Sequence, residues 1–576
     1  MMMMNTVSES RRSPLPAKVI ILALQLTLLL SAEKFYADDP LEEMPAPLSV
    51  RELKTRKLND VYDLFENTLG EPGERQTKKE KGRGAATLIP SQAVNTLGEV
   101  PNDPAWFTNR IGSRPMSIEE LVRGPGADRP PSTEGTWTVV GAKTSGVTPG
   151  FRIRDSTGQL YLLKFDPLTN PEMSTASDVI GAKFFHALGY SVPENYIVNF
   201  TPDQLTMGEM VVVFDPESGR DRPMTRRDLI LLREKVARDE RGRFRAVASR
   251  FLKGKCLGEF RYYGTRLDDF NDIVAHEHRR DLRGLFVFSA WLNHNDSRAI
   301  KNMDLLVEEN GISFVKHYLI DFGAMFGSAS VISNTARDGN AYLWELKPAL
   351  AQIATLGIWS PRWMRDRYIK HPALGMIEYP SFEPEQWKPN YPNPAFQNRL
   401  PTDEFWAAKR VMAFSNEAIS AIVKEAKFSD KYAEDLLTDY LIKRRDKIGE
   451  AYFAKLLPRD EFKVSEGRLE FEDLQVKYGL VDDRDYQVEW SSFDNRSKQH
   501  TAIAGETSLR LPDAALQAAE SSFFAAKIQG EDENKTVVVY LRKDGGARTP
   551  GGGHRTRSQQ PGRGDEGGGG RVGAMH

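Results

Sequence analysis

Apolar and polar residues alternate in distinct rhythms along the chain. Between residues 136 and 166 the period is two. Thr136-Trp-Thr-Val-Val-Gly reads as a strand, Phe151-Arg-Ile-Arg as a half-exposed strand, and Gln159-Leu-Tyr-Leu-Leu-Lys-Phe-Asp as a third. The loop Thr144-Ser-Gly-Val-Thr-Pro-Gly and the turn Ser156-Thr-Gly separate them, which predicts an antiparallel meander. From Ser174 to Leu188 the period lengthens to that of a helix. Val179, Ile180, Phe184, Phe185 and Leu188 share one stripe, and Gly189 is placed to cap the C-terminus. Strand patterning returns at Asn195 to Phe200 and Glu209 to Phe214. Asp221 to Arg250 is dense in both charges and reads as an inserted, solvated helix and hairpin. From Asp281 helices dominate, at Leu282 to Leu292, Trp344 to Leu356 and Pro401 to Lys455. Beyond about Asp460, Tyr486-Gln-Val-Glu-Trp, Phe523-Phe-Ala-Ala-Lys-Ile and Thr536-Val-Val-Val-Tyr-Leu-Arg are strands between polar turns. The order is a β-rich part, an α-rich part and a small β-rich appendage, without internal repeats.

The two ends follow other rules. Arg11, Arg12 and Lys18 precede an apolar run from Val19 to Leu30, closed by Ser31 and Ala32. A basic stretch, about a dozen apolar residues and a small residue match an export signal. The run is short for a membrane span, which needs roughly 20 apolar residues. Cleavage after Ala32 or Ala37 fits, and an uncleaved anchor is the other reading. No cysteine lies nearby to carry a lipid. Residues 33–100 are charged and broken by Pro and Gly, as a linker or pro-segment is, with a short helix conceivable from Val50 to Leu69. Structured material is expected at 101–458 and 459–544, and the Gly/Arg/Gln-rich tail 545–576 is expected to be disordered.

Composition narrows the class. The chain has 576 residues, too many for a single core, and with 40% hydrophobic residues it has the material to build more than one. A net charge of −2 gives none of the basic excess that nucleic-acid binding usually brings. The single cysteine, Cys256, excludes an internal disulfide and reads as a buried or half-buried thiol in a strand.

Four features carry candidate chemistry. Ser145, Gly146 and Gly150 lie in the loop between the first two strands, where backbone N–H groups can approach phosphates; by itself such a loop is only a turn. Lys164 sits inside an apolar strand and must point to a cleft or to solvent. The segment Trp291-Leu-Asn-His-Asn-Asp-Ser-Arg-Ala-Ile-Lys-Asn-Met-Asp ends a helix in a polar loop, and Asp296 within it can take an acceptor proton. Last, the apolar strand Val315-Lys-His-Tyr-Leu-Ile runs into Asp321-Phe322-Gly323, where a carboxylate at a strand end can hold a hard metal ion. A strand–turn–strand separates this tripeptide from Asp296.

With these features in this order, the chain resembles the protein-kinase-like superfamily, and more closely its atypical branch of HipA-type, phosphatidylinositol-kinase-like and secretory-pathway kinases. The resemblance covers roughly residues 101–455. It implies a bilobal α+β fold, with an antiparallel β-rich N-lobe and an α-rich C-lobe. It implies that ATP and Mg²⁺ (or Mn²⁺) are bound. Ser145, Gly146, Gly150 and Lys164 would hold the nucleotide, and Asp178 on the following helix would pair with Lys164. Asp296 would be the catalytic carboxylate, and Asn302 and Asp321 would bind metal. The chain departs from the pattern in three places. The helix acid is Asp178 rather than Glu. His294-Asn295-Asp296 replaces His-Arg-Asp. The usual spacing puts the metal-binding amide at Lys301, one residue before Asn302, so either the loop is one residue longer or the amide is lost.

Two functions follow. One is an ATP-dependent phosphotransferase acting on a protein, glycan or lipid hydroxyl. The other is a catalytically inactive, pseudokinase-type binding module, favoured by an export signal that implies a periplasmic or extracellular site, since a periplasm is poor in ATP. Membrane contact is expected only through that signal. His276 and His278 form a pair without the companion ligands zinc needs, and no Gly-x-Ser-x-Gly elbow marks a hydrolase.

Overall fold

The computed structural model describes residues 47–70, 103–126, 129–143, 148–209, 211–215, 220–345, 361–365, 368–505, 507–530 and 535–543, a few isolated positions, and the backbone of 556–560 and 572–575. It is an α+β architecture of two lobes and an appended sheet, as the patterning predicts.

The N-terminal lobe is built on a six-stranded sheet. Its first strands are β1 (Trp137–Ala142), β2 (Gly150–Arg154), β3 (Leu160–Phe165), β4 (Asn195–Phe200) and β5 (Leu205–Met207). After a separate ribbon of β6 (Val212–Asp215) and β7 (Arg220–Pro223), the chain adds β8 (Phe244–Arg250). The spatial order is β4-β8-β3-β2-β1-β5, and only the β1–β5 pair is parallel. The period of two sends Trp137, Val139, Phe151, Ile153, Tyr161, Leu163, Phe165, Phe244, Ala246 and Ala248 into one core. Lys164 lies on the other face, beside a helix. In chain order the helices up to this point are α1 (Asp60–Phe65), which packs on the second lobe through Asp60 to Arg298 and Asp63 to Tyr391, α2 (Ile118–Arg123), α3 (Met173–Leu188) and α4 (Arg226–Glu234). The first turn of α3 is held by buried Asp166, whose carboxylate accepts from Ser174 N at 2.8 Å, Thr175 N at 2.9 Å and Thr175 Oγ1 at 2.6 Å. Gly189, at φ 134°, ends the helix.

The charged stretch from Asp221 to Arg250 is not wholly an insertion. Its last residues form β8, an interior strand between β3 and the edge strand β4. The strand's arginines are satisfied by partners far along the chain. Arg245 donates to Ala426 O and Lys427 O in the other lobe, and Arg250 pairs with Glu194 at 3.0 Å.

The second lobe places α5 (Arg280–Trp291) at its centre, buried along its whole length. A three-stranded sheet of β9 (Lys255–Gly258), β10 (Asn302–Glu309) and β11 (Ile312–Leu319) flanks it. The expected helical run from Pro401 divides into α6 (Pro401–Met412), α7 (Asn416–Lys424) and α8 (Lys431–Phe453), because Ser415 and Asp430 cap new helix starts. Cys256, expected to be at least half-buried, is exposed on β9. The helix expected from Trp344 to Leu356 falls largely outside the described residues.

Residues 47–70, expected to be linker, are packed. Val50 and Leu53 are buried against Leu257 and Val315. Backbone bonds run from Val50 N to Ser313 O at 2.8 Å and from Arg56 N to Leu257 O at 2.7 Å. Two apolar residues amid charge suffice to seat an extended segment along a hairpin.

The appendage opens with the hairpin of β12 (Arg459–Ser465) and β13 (Arg468–Asp473). Its sheet contains β14 (Gln487–Phe493), β15 (His500–Ala502), β16 (Phe523–Gln529), β17 (Thr536–Arg542), β18 (Thr556–Gln560) and β19 (Val572–Met575). β18 and β19 lie in the tail expected to be disordered. They pair by backbone on the open edge of β17, which any extended chain can extend. Among the described residues no helix is long and apolar enough to cross a membrane; the run from Val19 to Leu30 lies outside them.

Candidate active site

Lys164 leaves β3 toward α3, its side chain only 7% exposed. Its Nζ lies 2.5 Å from Asp178 Oδ2, in the second turn of α3, and 3.0 Å from Asp321 Oδ1. The strand that delivers Asp321 ends at Leu319, and Asp321 then adopts the left-handed region, φ 61° and ψ 61°. Asp tolerates that conformation better than most residues. Phe322 behind it stacks on Phe185 of α3, ring centroids 5.2 Å apart. Gly181 makes this approach possible: a Cβ there would stand 2.5 Å from Met325 Sδ and 2.7 Å from Phe322 Cβ. α3 and the Asp321-Phe322-Gly323 turn therefore dock as a unit, which fixes Asp178 and Asp321 around one ammonium.

The second carboxylate comes from the loop after α5. The last carbonyls of a helix lack intrahelical partners. Here Arg444 of α8 supplies them, donating to Ala290 O at 2.6 Å and Trp291 O at 2.8 Å. Trp387 Nε1 donates to Asn293 Oδ1 at 3.0 Å, and Ser297 Oγ to His294 O at 2.6 Å. The loop thus held presents Asp296. Its Oδ2 lies 3.1 Å from Lys301 Nζ, and its Oδ1 meets Arg298 Nε and accepts from Asn390 Nδ2 at 3.2 Å. Arg298 is gripped in turn by Asp60 of α1 at 2.7 Å. Lys301 also contacts Asp321 Oδ2. Two lysines therefore link three carboxylates in one largely buried cluster, in the chain Asp178–Lys164–Asp321–Lys301–Asp296.

Of the residues singled out from sequence, Lys164, Asp178, Asp296 and Asp321 meet here. Gly150 stands opposite Lys164 in the β2–β3 register, where the carbonyl of Leu163 leaves no room for a Cβ. Ser145 and Gly146 lie outside the described residues. Asn302 does not join the group. It is buried, its Nδ2 donates to Phe260 O at 2.9 Å, and its Oδ1 accepts from Phe260 N at 2.8 Å. It is the first residue of β10, paired with Leu319 and turned to Phe260, whereas Lys301 ends the preceding 3-10 turn (Ala299–Lys301) and carries its ammonium to Asp296 and Asp321.

Sequence reasoning missed Lys143, Arg298, Asn390 and Asp60. Lys143 follows β1 and donates to Thr148 Oγ1 at 2.8 Å. Burial lowers its pKa to about 8, with Lys164 and Lys301 pushing the same way against Asp321 and Asp178. A lysine at the mouth of a glycine-containing loop was a usable signal. Asn390 and Asp60 had none, being distant in sequence.

The electrostatics follow from burial and pairing. Burial disfavours the Lys164 charge, but Asp178 and Asp321 outweigh it and raise the pKa. Lys301 is likewise raised, by Asp321 and Asp296 against burial. Burial would raise the Asp321 carboxyl, yet Lys164 and Lys301 hold it well below the usual range. The Asp178 carboxyl is pushed up by burial, against the pull of Lys164. Burial lowers the His294 pKa to about 4, so the ring is neutral at pH 7. His276 pairs with Asp272 at 2.9 Å, and among the described residues no group of three or more His, Cys, Asp or Glu could hold a metal ion in the manner of a dedicated cage.

No family model and no curated protein sequence matches the chain. Among solved structures, it is similar to the Helicobacter pylori proinflammatory kinase CtkA at 12% identity and TM-score 0.29, over 55% of this chain and 98% of that one. It is also similar to the Golgi casein kinase with Mn/ADP bound, at 10% identity and TM-score 0.27, over 72% and 94% of the two chains. A second structure of the Golgi casein kinase gives 10% identity and TM-score 0.23, over 72% and 97%.

Proposed function

We propose that the chain is an exported atypical kinase-like phosphotransferase, moving the γ-phosphoryl group of ATP to a hydroxyl of a protein, glycan or lipid. One observation carries this reading: Lys164, Asp178, Asp296 and Asp321, from four separate elements, converge in a single cluster of ion pairs. Lys164 and Lys143 face the nucleotide phosphates. Asp296 accepts the proton of the acceptor hydroxyl as its oxygen bonds to the γ-phosphorus. The bond from that phosphorus to the β,γ-bridging oxygen breaks, and ADP leaves with the electron pair. Transfer of this kind rests on positioning and charge neutralisation.

The donor set fits a hard divalent cation. The Asp321 side chain is 33% exposed, and the oxygens of Asp178 meet no donor other than Lys164. Mg²⁺ or Mn²⁺, held by Asp321 with Asp178 beside it, would supply further neutralisation of the phosphate oxygens. The test is phosphate release and transfer from labelled ATP. Asp296→Asn should keep nucleotide binding and lower turnover by about 10²-fold or more, the scale of general-base loss. Equal turnover in both proteins overturns the assignment of Asp296.

The alternative reading, a binding module without turnover, draws on Lys301, which binds Asp296 and Asp321 at once. It predicts nucleotide binding with no transfer by the unaltered protein.

A further inference from the structure

Lys301 stands where a second metal ligand is expected, and it is held there. Its N–H donates to Arg298 O at 2.9 Å, and its carbonyl accepts from Ile320 N at 2.9 Å, next to Asp321 on the facing strand. Its side chain is 12% exposed, with the ammonium 3.1 Å from Asp296 Oδ2 and in contact with Asp321 Oδ2. A divalent ion bridging those two oxygens at about 2.1 Å would need the space the ammonium fills. Asn302 cannot replace the missing amide, because both halves of it bond to the buried backbone of Phe260. Asp321 Oδ1 lies on the other side, where it accepts from Lys164 Nζ at 3.0 Å, and the Asp321 side chain as a whole is 33% exposed.

We propose that this cleft loads nucleotide with one divalent ion instead of two, and that the Lys301 ammonium supplies the second positive charge between Asp296 and Asp321. The inference rests on the nucleotide-binding reading above and names how that site is charged. Asp321, with Asp178 beside it, would hold the single ion. Lys301 faces the group in transfer and keeps the two carboxylates from repelling each other, in the free and loaded states alike. As a monovalent cation fixed by the fold, it needs no metal concentration to be present.

The experiment counts manganese. The full chain is saturated with a non-hydrolysable ATP analogue and titrated with Mn²⁺. Free Mn²⁺ is read by electron paramagnetic resonance, and bound nucleotide by equilibrium dialysis. The expected ratio is one Mn²⁺ per bound nucleotide. Lys301→Asn, which restores an amide at the usual spacing, should raise it to two, and Lys301→Arg should leave it at one. Two ions in the unaltered protein overturn the inference while leaving the nucleotide reading in place. One ion in both the unaltered protein and a folded Lys301→Asn variant overturns the role given to Lys301. Neither manganese nor nucleotide bound overturns both readings. The count on the unaltered protein decides even if Lys301→Asn does not fold.

Discussion

Replacing Lys164 by Met tests the geometry at its centre. The ammonium has two partners, and they are unequally dependent on it. Asp321 keeps Lys301 when Lys164 is removed, whereas Asp178, with its side chain 1% exposed, has no other cation in contact. An isolated buried carboxylate takes up a proton instead of staying charged. At pH 7 that costs about 4 kcal/mol, from ~1.36 kcal/mol per unit over the ~3 units above an ordinary Asp pKa. Breaking a buried pair from one side typically costs about 3–5 kcal/mol, so the two routes agree. Burial already pushes the Asp178 carboxyl up, and loss of Lys164 removes the main pull against it. In the variant the native state then binds the extra proton. A raised carboxyl pKa contributes stability below the unfolded value, near 4, and loses it as pH rises. The penalty should therefore shrink to roughly 1.5 kcal/mol at pH 5. Urea unfolding followed by tryptophan fluorescence at both pH values measures this. Lys164→Met/Asp178→Leu should regain most of the loss, since an apolar pair leaves no unpaired charge. A penalty below about 1 kcal/mol that does not vary with pH, or a double variant no better than the single one, refutes the reasoning.

Further outcomes follow from the same cleft. Lys143 has a pKa of about 8, so nucleotide affinity should fall between pH 7 and pH 9 as its charge is lost, and Lys143→Arg should flatten that profile in a binding titration. Gly181→Ala pushes a methyl group into Phe322 and Met325, and should cost about 1–3 kcal/mol in unfolding with a loss of metal-dependent nucleotide affinity. Asp60→Ala breaks a half-exposed pair with Arg298, so stability should change by no more than about 1 kcal/mol. Its kcat should nevertheless drop with little change in KM, because Arg298 positions Asp296.

Much of this cleft was legible in the sequence because its parts sit on strongly patterned elements. Lys164 interrupts an apolar strand, and Asp321 follows one directly. The α3 stripe from Val179 to Leu188 fixed where Asp178 could stand. What escaped the sequence was decided by contacts between distant segments. β8 looked like surface because the partners of Arg245 lie some 180 positions away, at Ala426 and Lys427. Residues 47–70 looked like linker because the hairpin that receives Val50 and Leu53 is more than 200 residues downstream. Which of Lys301 and Asn302 meets the carboxylates was set where the 3-10 turn Ala299–Lys301 gives way to β10: Asn302 turns to Phe260, and Lys301 reaches Asp296 and Asp321.

The most direct measurement is thermal unfolding of the full chain with ATP, with and without Mg²⁺, beside the Asp321→Asn variant. At 100 times the dissociation constant, bound nucleotide adds about 2.7 kcal/mol of stability. The account predicts a rise in Tm with ATP that Mg²⁺ enlarges, and an Mg²⁺ increment that disappears in Asp321→Asn. No rise with any nucleotide, or an equal Mg²⁺ increment in both proteins, contradicts it.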